Sequence, residues 1–145
     1  MSGPGGASDP LLLNDGRYLR LSINLVLENT TDGYRLKVVK SAFQYQIDKA
    51  GDQWIFRYDY LRHAGAQIPP GHLQLRADPV ENCLEGGQTL ERIHFPTSRV
   101  SLESIIRMLI RDFHVPPNAS MDIWHPILKD SEHAFFEIAR KAVEE

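Results

Sequence analysis

The sequence predicts an α+β fold: an antiparallel five-stranded meander sheet with two C-terminal helices packed on one face. Two observations predict it. Five segments alternate apolar and polar side chains with a period of two, the pattern of half-buried strands. They all precede two segments whose apolar residues recur at helical spacing, and strands followed by helices make α+β layers.

Each element follows in chain order. Met1 to Pro10 is rich in Gly, Ser and Pro and lacks a basic start followed by an apolar run, so it does not read as a secretory signal. Residues 1–16 are expected to be a disordered leader, and 17–145 a single domain. From Tyr18 to Leu27 the side chains alternate: Leu19, Leu21, Ile23, Leu25 and Leu27 on one face, Arg20, Ser22 and Asn24 on the other. Asn29-Thr30-Thr31-Asp32-Gly33 is a turn composition, with Gly33 open to a positive φ. Tyr34 to Ile47 is a second, longer strand. Its apolar parity changes between Leu36/Val38 and Phe43/Tyr45/Ile47, which predicts a β-bulge near Val39. Asp48 to Asp52 is a hairpin turn. Trp54 to Tyr60 then places Trp54, Phe56, Tyr58 and Tyr60 on one face and Arg57 and Asp59 on the other.

A Gly/Pro loop from Arg62 leads to a strand around His72 to Arg76. A second loop, Ala77 to Gln88, leads to a strand over Leu90 to Thr97. Ser101 is a good N-cap for a helix with Leu102, Ile105, Ile106, Leu109 and Phe113 at helical spacing, ended by Pro116-Pro117. That stripe is expected against the Trp54 face of the sheet. Ile123 to Leu128 reads as short and interrupted by Pro126. The last helix is then expected to start near Asp130 or Ser131, with Ala134, Phe135, Ile138, Ala139 and Ala142 as its stripe.

Composition excludes some classes. At 145 residues, 42% hydrophobic and 24% charged, the chain has the make-up of an ordinary globular domain. Its one cysteine, Cys83, cannot form an internal disulfide. No apolar run reaches the roughly 20 residues of a membrane-spanning helix. The net charge of −3 does not by itself favour nucleic acid, but Arg57, Arg62, Arg76, Arg92 and Arg99 cluster centrally and allow a local basic patch.

If the central strands are neighbours, their polar face collects Arg57, Asp59, His72, Gln74, Arg76, Arg92 and His94. A wet sheet face needs polar residues with no chemistry attached. The face is unusual in lacking Lys and Glu and in repeating His and Arg. A phosphate-directed reading assigns His72 and His94 as an acid/base pair approaching across neighbouring strands, since histidine carries either proton role near neutral pH. Asp59 orients a ring or acts as a base. Arg57, Arg76 and Arg92, with Gln74, form the phosphate clamp, because guanidinium donors match phosphate oxygens. A metal site drawing on Asp59, His63, His72 and His94 lacks any recognisable ligand spacing, so no metal or cofactor is expected. His114, His125 and His133 have no partner legible in the sequence. Asn118-Ala119-Ser120 matches a glycosylation acceptor without a secretory context. The aromatic alternation of Trp54, Phe56, Tyr58 and Tyr60 suits core packing better than base stacking.

The run Phe56-Arg57-Tyr58-Asp59, then His63, then Pro69-Pro70-Gly71-His72, resembles the TumE-like toxins of bacterial toxin–antitoxin pairs. The resemblance covers the middle half of the chain. It implies a growth-inhibiting toxin in a bacterial cytoplasm, opposite a cognate antitoxin, and adds weight to an RNA-directed function by analogy. The function expected is therefore a metal-independent ribonuclease of that kind. Its partner is an antitoxin or another protein with acidic residues opposite Arg57, Arg76 and Arg92, with RNA as substrate and no membrane. The alternative is a non-catalytic protein-binding module, such as an immunity or adaptor protein.

Overall fold

The computed structural model describes residues 9–63, 69–76 and 95–144. The chain forms two compact units, Met1–Arg99 and Val100–Glu145. The first is a sheet whose strands follow one another in sequence order, every neighbour antiparallel. These are β1 (Leu11–Leu12), β2 (Tyr18–Thr30), β3 (Gly33–Gln46), β4 (Trp54–Leu61), β5 (Gly71–Leu75) and β6 (Phe95–Pro96). The meander is the one the alternation predicts, with β1 added at its edge. Leu11 and Leu12, placed above in the leader, pair with Leu19 and Tyr18.

The β2–β3 hairpin closes through Thr31-Asp32, with Gly33 at φ 126°, a conformation glycine adopts without a Cβ penalty. Further along, Asn24 pairs with Lys40 and Leu25 with Val38, so Val39 is the extra residue of a bulge. The bulge keeps Val38, Leu36 and Tyr34 on the face that carries Leu25 and Leu27. Arg62 braces it, its backbone N–H donating to the Val39 carbonyl at 2.9 Å and its Nε to the Val38 carbonyl at 2.9 Å.

The sheet's apolar face is built on rows of paired residues: Leu19 with Tyr45 and Phe56, and Leu21 with Phe43 and Tyr58. Leu19, Phe43, Tyr45 and Phe56 are buried. The Phe56 ring lies 5.5 Å from Tyr45 and 5.7 Å, edge on, from Tyr58, separations that favour aromatic pairs. Trp54 does not join them. Phe56 pairs with Tyr45 but Trp54 with Gln46, so a bulge at Ile55 turns Trp54 to the polar face, where Arg76 lies over its ring at 6.0 Å. Period-two counting placed Trp54 with Phe56, and an extra residue reverses that parity.

The second unit is a helix pair: α1 (Leu102–Arg111) and α2 (Met121–Glu144). Ser101 caps α1, accepting the Ser104 N–H at 3.1 Å. Glu132 of α2 accepts from Arg107 Nη1 at 3.0 Å and from Ser104 Oγ at 3.1 Å, which ties the helices together. After α1, His114 adopts a left-handed φ of 56° and Val115 N–H returns to the Leu109 carbonyl at 3.0 Å. The role of His114 is thus to reverse the chain, as helix C-termini require. The predicted break at Pro126 does not occur, and α2 runs through it from Met121. Pro126 removes only the bond to the Asp122 carbonyl, and Asp122 is exposed, so that acceptor is open to solvent.

Candidate functional site

The polar face is assembled by register. Asp59 of β4 stands between Ala42 of β3 and His72 of β5, and Arg57 between Gln44 and Gln74. Arg57 and Asp59 are two apart on one strand, so they share the face. The Arg57 Nε donates to Asp59 Oδ2 at 2.8 Å and Oδ1 at 3.0 Å. His72 Nε2 lies 3.6 Å from Asp59 Oδ2, an ion-pair distance but too long for a good hydrogen bond. His72 Nδ1 lies 3.1 Å from the Pro69 carbonyl. A carbonyl only accepts, so Nδ1 is the protonated nitrogen and donates to it. The side chains of Asp59 and His72 are only 11% and 10% exposed.

The chemistry follows from that geometry. One ring nitrogen of His72 is held by a backbone carbonyl and the other faces a carboxylate already paired with arginine. The ring is well placed to lock β5 to β4. A proton shuttle to an outside substrate needs an exposed nitrogen, and this ring offers little surface.

Arg76 of the clamp, and Arg62 and Arg99 of the central arginine cluster, also have internal partners. Arg76 donates to the Asp52 carbonyl through Nη1 and lies over Trp54. Arg62 holds the Val38 carbonyl, and Arg99 lies over the Tyr60 ring at 4.9 Å. Burial pushes the Arg99 guanidinium below its ordinary range. Of the sequence-predicted residues, the structure therefore brings Arg57, Asp59, His72 and Gln74 together on one patch. Arg76, just past the end of β5, reaches away from them to the Asp52 carbonyl of the β3–β4 turn. Arg92 and His94, and with them the proposed approach of His72 to His94, lie outside the described residues, as does Cys83. His63 and His133 are exposed, and His125 is half-buried with its Nδ1 unpaired among the described residues.

The β3–β4 turn roofs one end of the polar face, which sequence reasoning missed. Arg20 Nη2 donates to the Lys49 carbonyl at 3.2 Å, and Gln46 Nε2 to the Asp48 and Lys49 carbonyls at 2.9 and 3.1 Å. A Cβ on Gly51 would meet the Gln44 and Gln46 amides at 3.2 Å, and its φ is 85°, so glycine serves both the turn and the close approach. Asp48 accepts the Gln53 and Asp52 N–H groups at 2.8 and 3.2 Å, which holds its carboxyl below the usual range. The side chains that hold this turn, Arg20, Gln44 and Gln46, share one parity, but only the folded turn shows what they bind.

A second surface is the outer half of the β2–β3 hairpin. The β4 strand pairs with β3 only over Lys40–Gln46, and β1 with β2 only at Tyr18 and Leu19. The two long strands therefore project beyond their described neighbours by about six residues, or roughly 20 Å at strand rise. One face of this arm carries Leu25, Leu27, Leu36 and Tyr34, with Ile23 at its base opposite Ser41, all exposed. The other carries Glu28, paired with Arg35 at 2.9 Å and Lys37 at 3.4 Å. These two cations hold the Glu28 carboxyl below its ordinary range. The signal in the sequence is a mismatch of strand length: the two long strands exceed the Trp54 strand beside them.

No family model matches this chain, and neither a curated protein nor a solved structure is significantly similar to it. Among the described residues no group of three or more His, Cys, Asp or Glu is placed to hold a metal ion, and no helix is long and apolar enough to cross a membrane.

Proposed function

We propose that this chain is a protein-binding module whose contact surface is the apolar face of the β2–β3 arm. The observation that carries the reading is the exposure of Ile23, Leu25, Leu27, Tyr34 and Leu36 on one face of a projecting hairpin. Contiguous apolar patches of this kind mark interaction surfaces. The internal bonding of Arg57, Arg62, Arg76 and Arg99 supports the same reading, since arginines so held present few donors to a phosphate. The test is photo-crosslinking in cells with a benzophenone side chain at position 36, and at position 37 on the opposite face. Defined protein adducts at 36 and not at 37 are expected. Adducts at neither position, or equally at both, would refute the reading.

A second reading is a metal-independent ribonuclease of the TumE-like kind, opposite a cognate antitoxin. One observation favours it: the sheet register sets Asp59 directly against His72, with the Arg57 guanidinium beside them. On that reading His72→Ala and Asp59→Asn abolish cleavage of an RNA that the native chain cuts, chelator leaves it intact, and expression toxicity disappears with it. Full activity in both variants would dispose of it.

A further inference from the structure

We infer that the arm's apolar face is the contact surface for a second copy of this chain, the two arms packing face to face about a two-fold axis. This rests on the reading of the arm as a protein-binding surface and names its occupant. Ile23, Leu25, Leu27, Leu36 and Tyr34 are between 48% and 73% exposed. Taking about 200 Å², the figure for an aromatic side chain, for each of the five gives at most roughly 600 Å² of exposed surface in each copy. Two such faces together reach at most about 1,200 Å², the low end of specific interfaces at about 1,200–2,000 Å². A small apolar spot on another protein would fall short of that area. An equal face supplies it, and a second copy carries one.

The charge pattern selects the same occupant. The apolar face of the arm holds no ionisable group other than the Tyr34 phenol. Arg35, Lys37 and Glu28 are on the opposite face, bonded to one another. A charged partner has nothing to pair with on the apolar face, and an identical face meets no like charge there. Two antiparallel hairpins stacked this way follow ordinary sheet-on-sheet packing, with interdigitating side chains and strands roughly aligned. An isologous contact of this type closes on itself and does not propagate into fibres.

Pairing through the strand edge is the competing arrangement. The segment Leu21 to Leu27 contains no charge and no proline, the residues that commonly guard an edge. Edge pairing would align β2 with β2 of the other copy and leave the apolar face of both copies in water. It is therefore disfavoured, and position 36 separates the two cases. Leu36 is on β3, one strand in from the β2 edge, so β2-to-β2 pairing keeps it from its own counterpart, whereas stacked faces with the two-fold axis close to it bring the two together.

The experiment uses the full chain in a Cys83→Ser background. Sedimentation velocity over a dilution series is expected to show a monomer–dimer equilibrium, and the pair Leu27→Lys with Leu36→Lys to lose the dimer. Mild oxidation of Leu36→Cys is expected to give a covalent dimer, and Lys37→Cys, on the far face, to stay monomeric. The cysteine variants do not depend on the folding of the lysine double variant. A chain monomeric throughout the series overturns the inference, as does a dimer that cross-links through Asn24→Cys and not Leu36→Cys. Adducts at position 36 to other proteins alone, with a monomeric chain, overturn it while leaving the protein-binding reading in place.

Discussion

Alanine at Gly71 should destabilise the sheet by forcing one backbone segment off another. A Cβ built at Gly71 lies 2.6 Å from the Thr97 carbonyl oxygen and 3.2 Å from that of Ser98. Both obstacles are main chain, so no rotamer change relieves them. The segment is also bonded there: Thr97 N–H donates to the Gly71 carbonyl at 2.9 Å, and Leu61 N–H to the Pro70 carbonyl at 2.8 Å. Overpacking of this kind costs about 1–3 kcal/mol. Alanine's smaller unfolded-state entropy returns about 0.4–1 kcal/mol, and strain on the backbone bonds offsets part of that return. A net loss of about 0.5–2.5 kcal/mol follows. At a urea m-value of about 2 kcal/mol/M, the midpoint falls by about 0.3–1.3 M. The assay is urea unfolding followed by Trp54 fluorescence in a Trp124→Phe background, so that the signal belongs to the sheet unit. Gly16 is the control, because its φ is 80° and a Cβ there meets nothing within 4 Å. Gly16→Ala is strained by its dihedral alone, so Gly16→Asn recovers much of the loss, since Asn tolerates that region. Gly71→Asn recovers none. A Gly71→Ala midpoint at or above the native value would refute the steric argument.

Two further outcomes follow from the structure. Tyr45 is buried, its hydroxyl donates to Asp15 and it accepts from Arg17 at 3.3 Å. Burial first, and then the Asp15 contact, push its phenol above the ordinary value of 10.0. The folded state therefore keeps a proton that the unfolded chain releases, so stability holds below about pH 10 and falls as pH rises through the raised folded value. Tyr45→Phe should lose stability at neutral pH and show a flatter decline under alkali, measured by thermal melts across that range. Ser101→Ala removes a buried cap that also lies 3.4 Å from Glu132 and should cost about 0.5–2 kcal/mol, read as faster amide exchange in the first turn of α1. Unchanged exchange there would show that the cap is not needed.

Much of the fold was legible because side-chain alternation and helical spacing are local properties of the backbone. Leu19 to Leu27 announced β2. The parity change between Val38 and Phe43 announced the bulge at Val39, because a mismatch of faces leaves a trace along one strand. Ser101 and the stripe after it announced α1. The register that sets Asp59 against His72 was only conditional in the sequence, since it depends on which strands become neighbours. The bulge at Ile55 left no such trace, because Trp54 and Phe56 are both aromatic and either face accepts them. Pro126 was read as a break because the rule for helix interiors is local, whereas the one carbonyl it orphans is exposed to water.

The arginines show the deepest division. Their clustering could be read directly, and a phosphate clamp was its natural chemistry. Their use was decided by residues far along the chain. Arg20 meets the Lys49 carbonyl, Arg62 the Val38 carbonyl and Arg76 the Asp52 carbonyl, each across 24 or more positions. Backbone carbonyls look alike in every sequence, so no residue pattern marks which of them will be exposed at the right place to capture a guanidinium. The sequence by itself determined which side chains share a strand face and where helices begin. Only the tertiary structure decided which of those faces is occupied from within and which is left exposed. That choice depends on where turns fold back and on how far one pair of strands outgrows its neighbours.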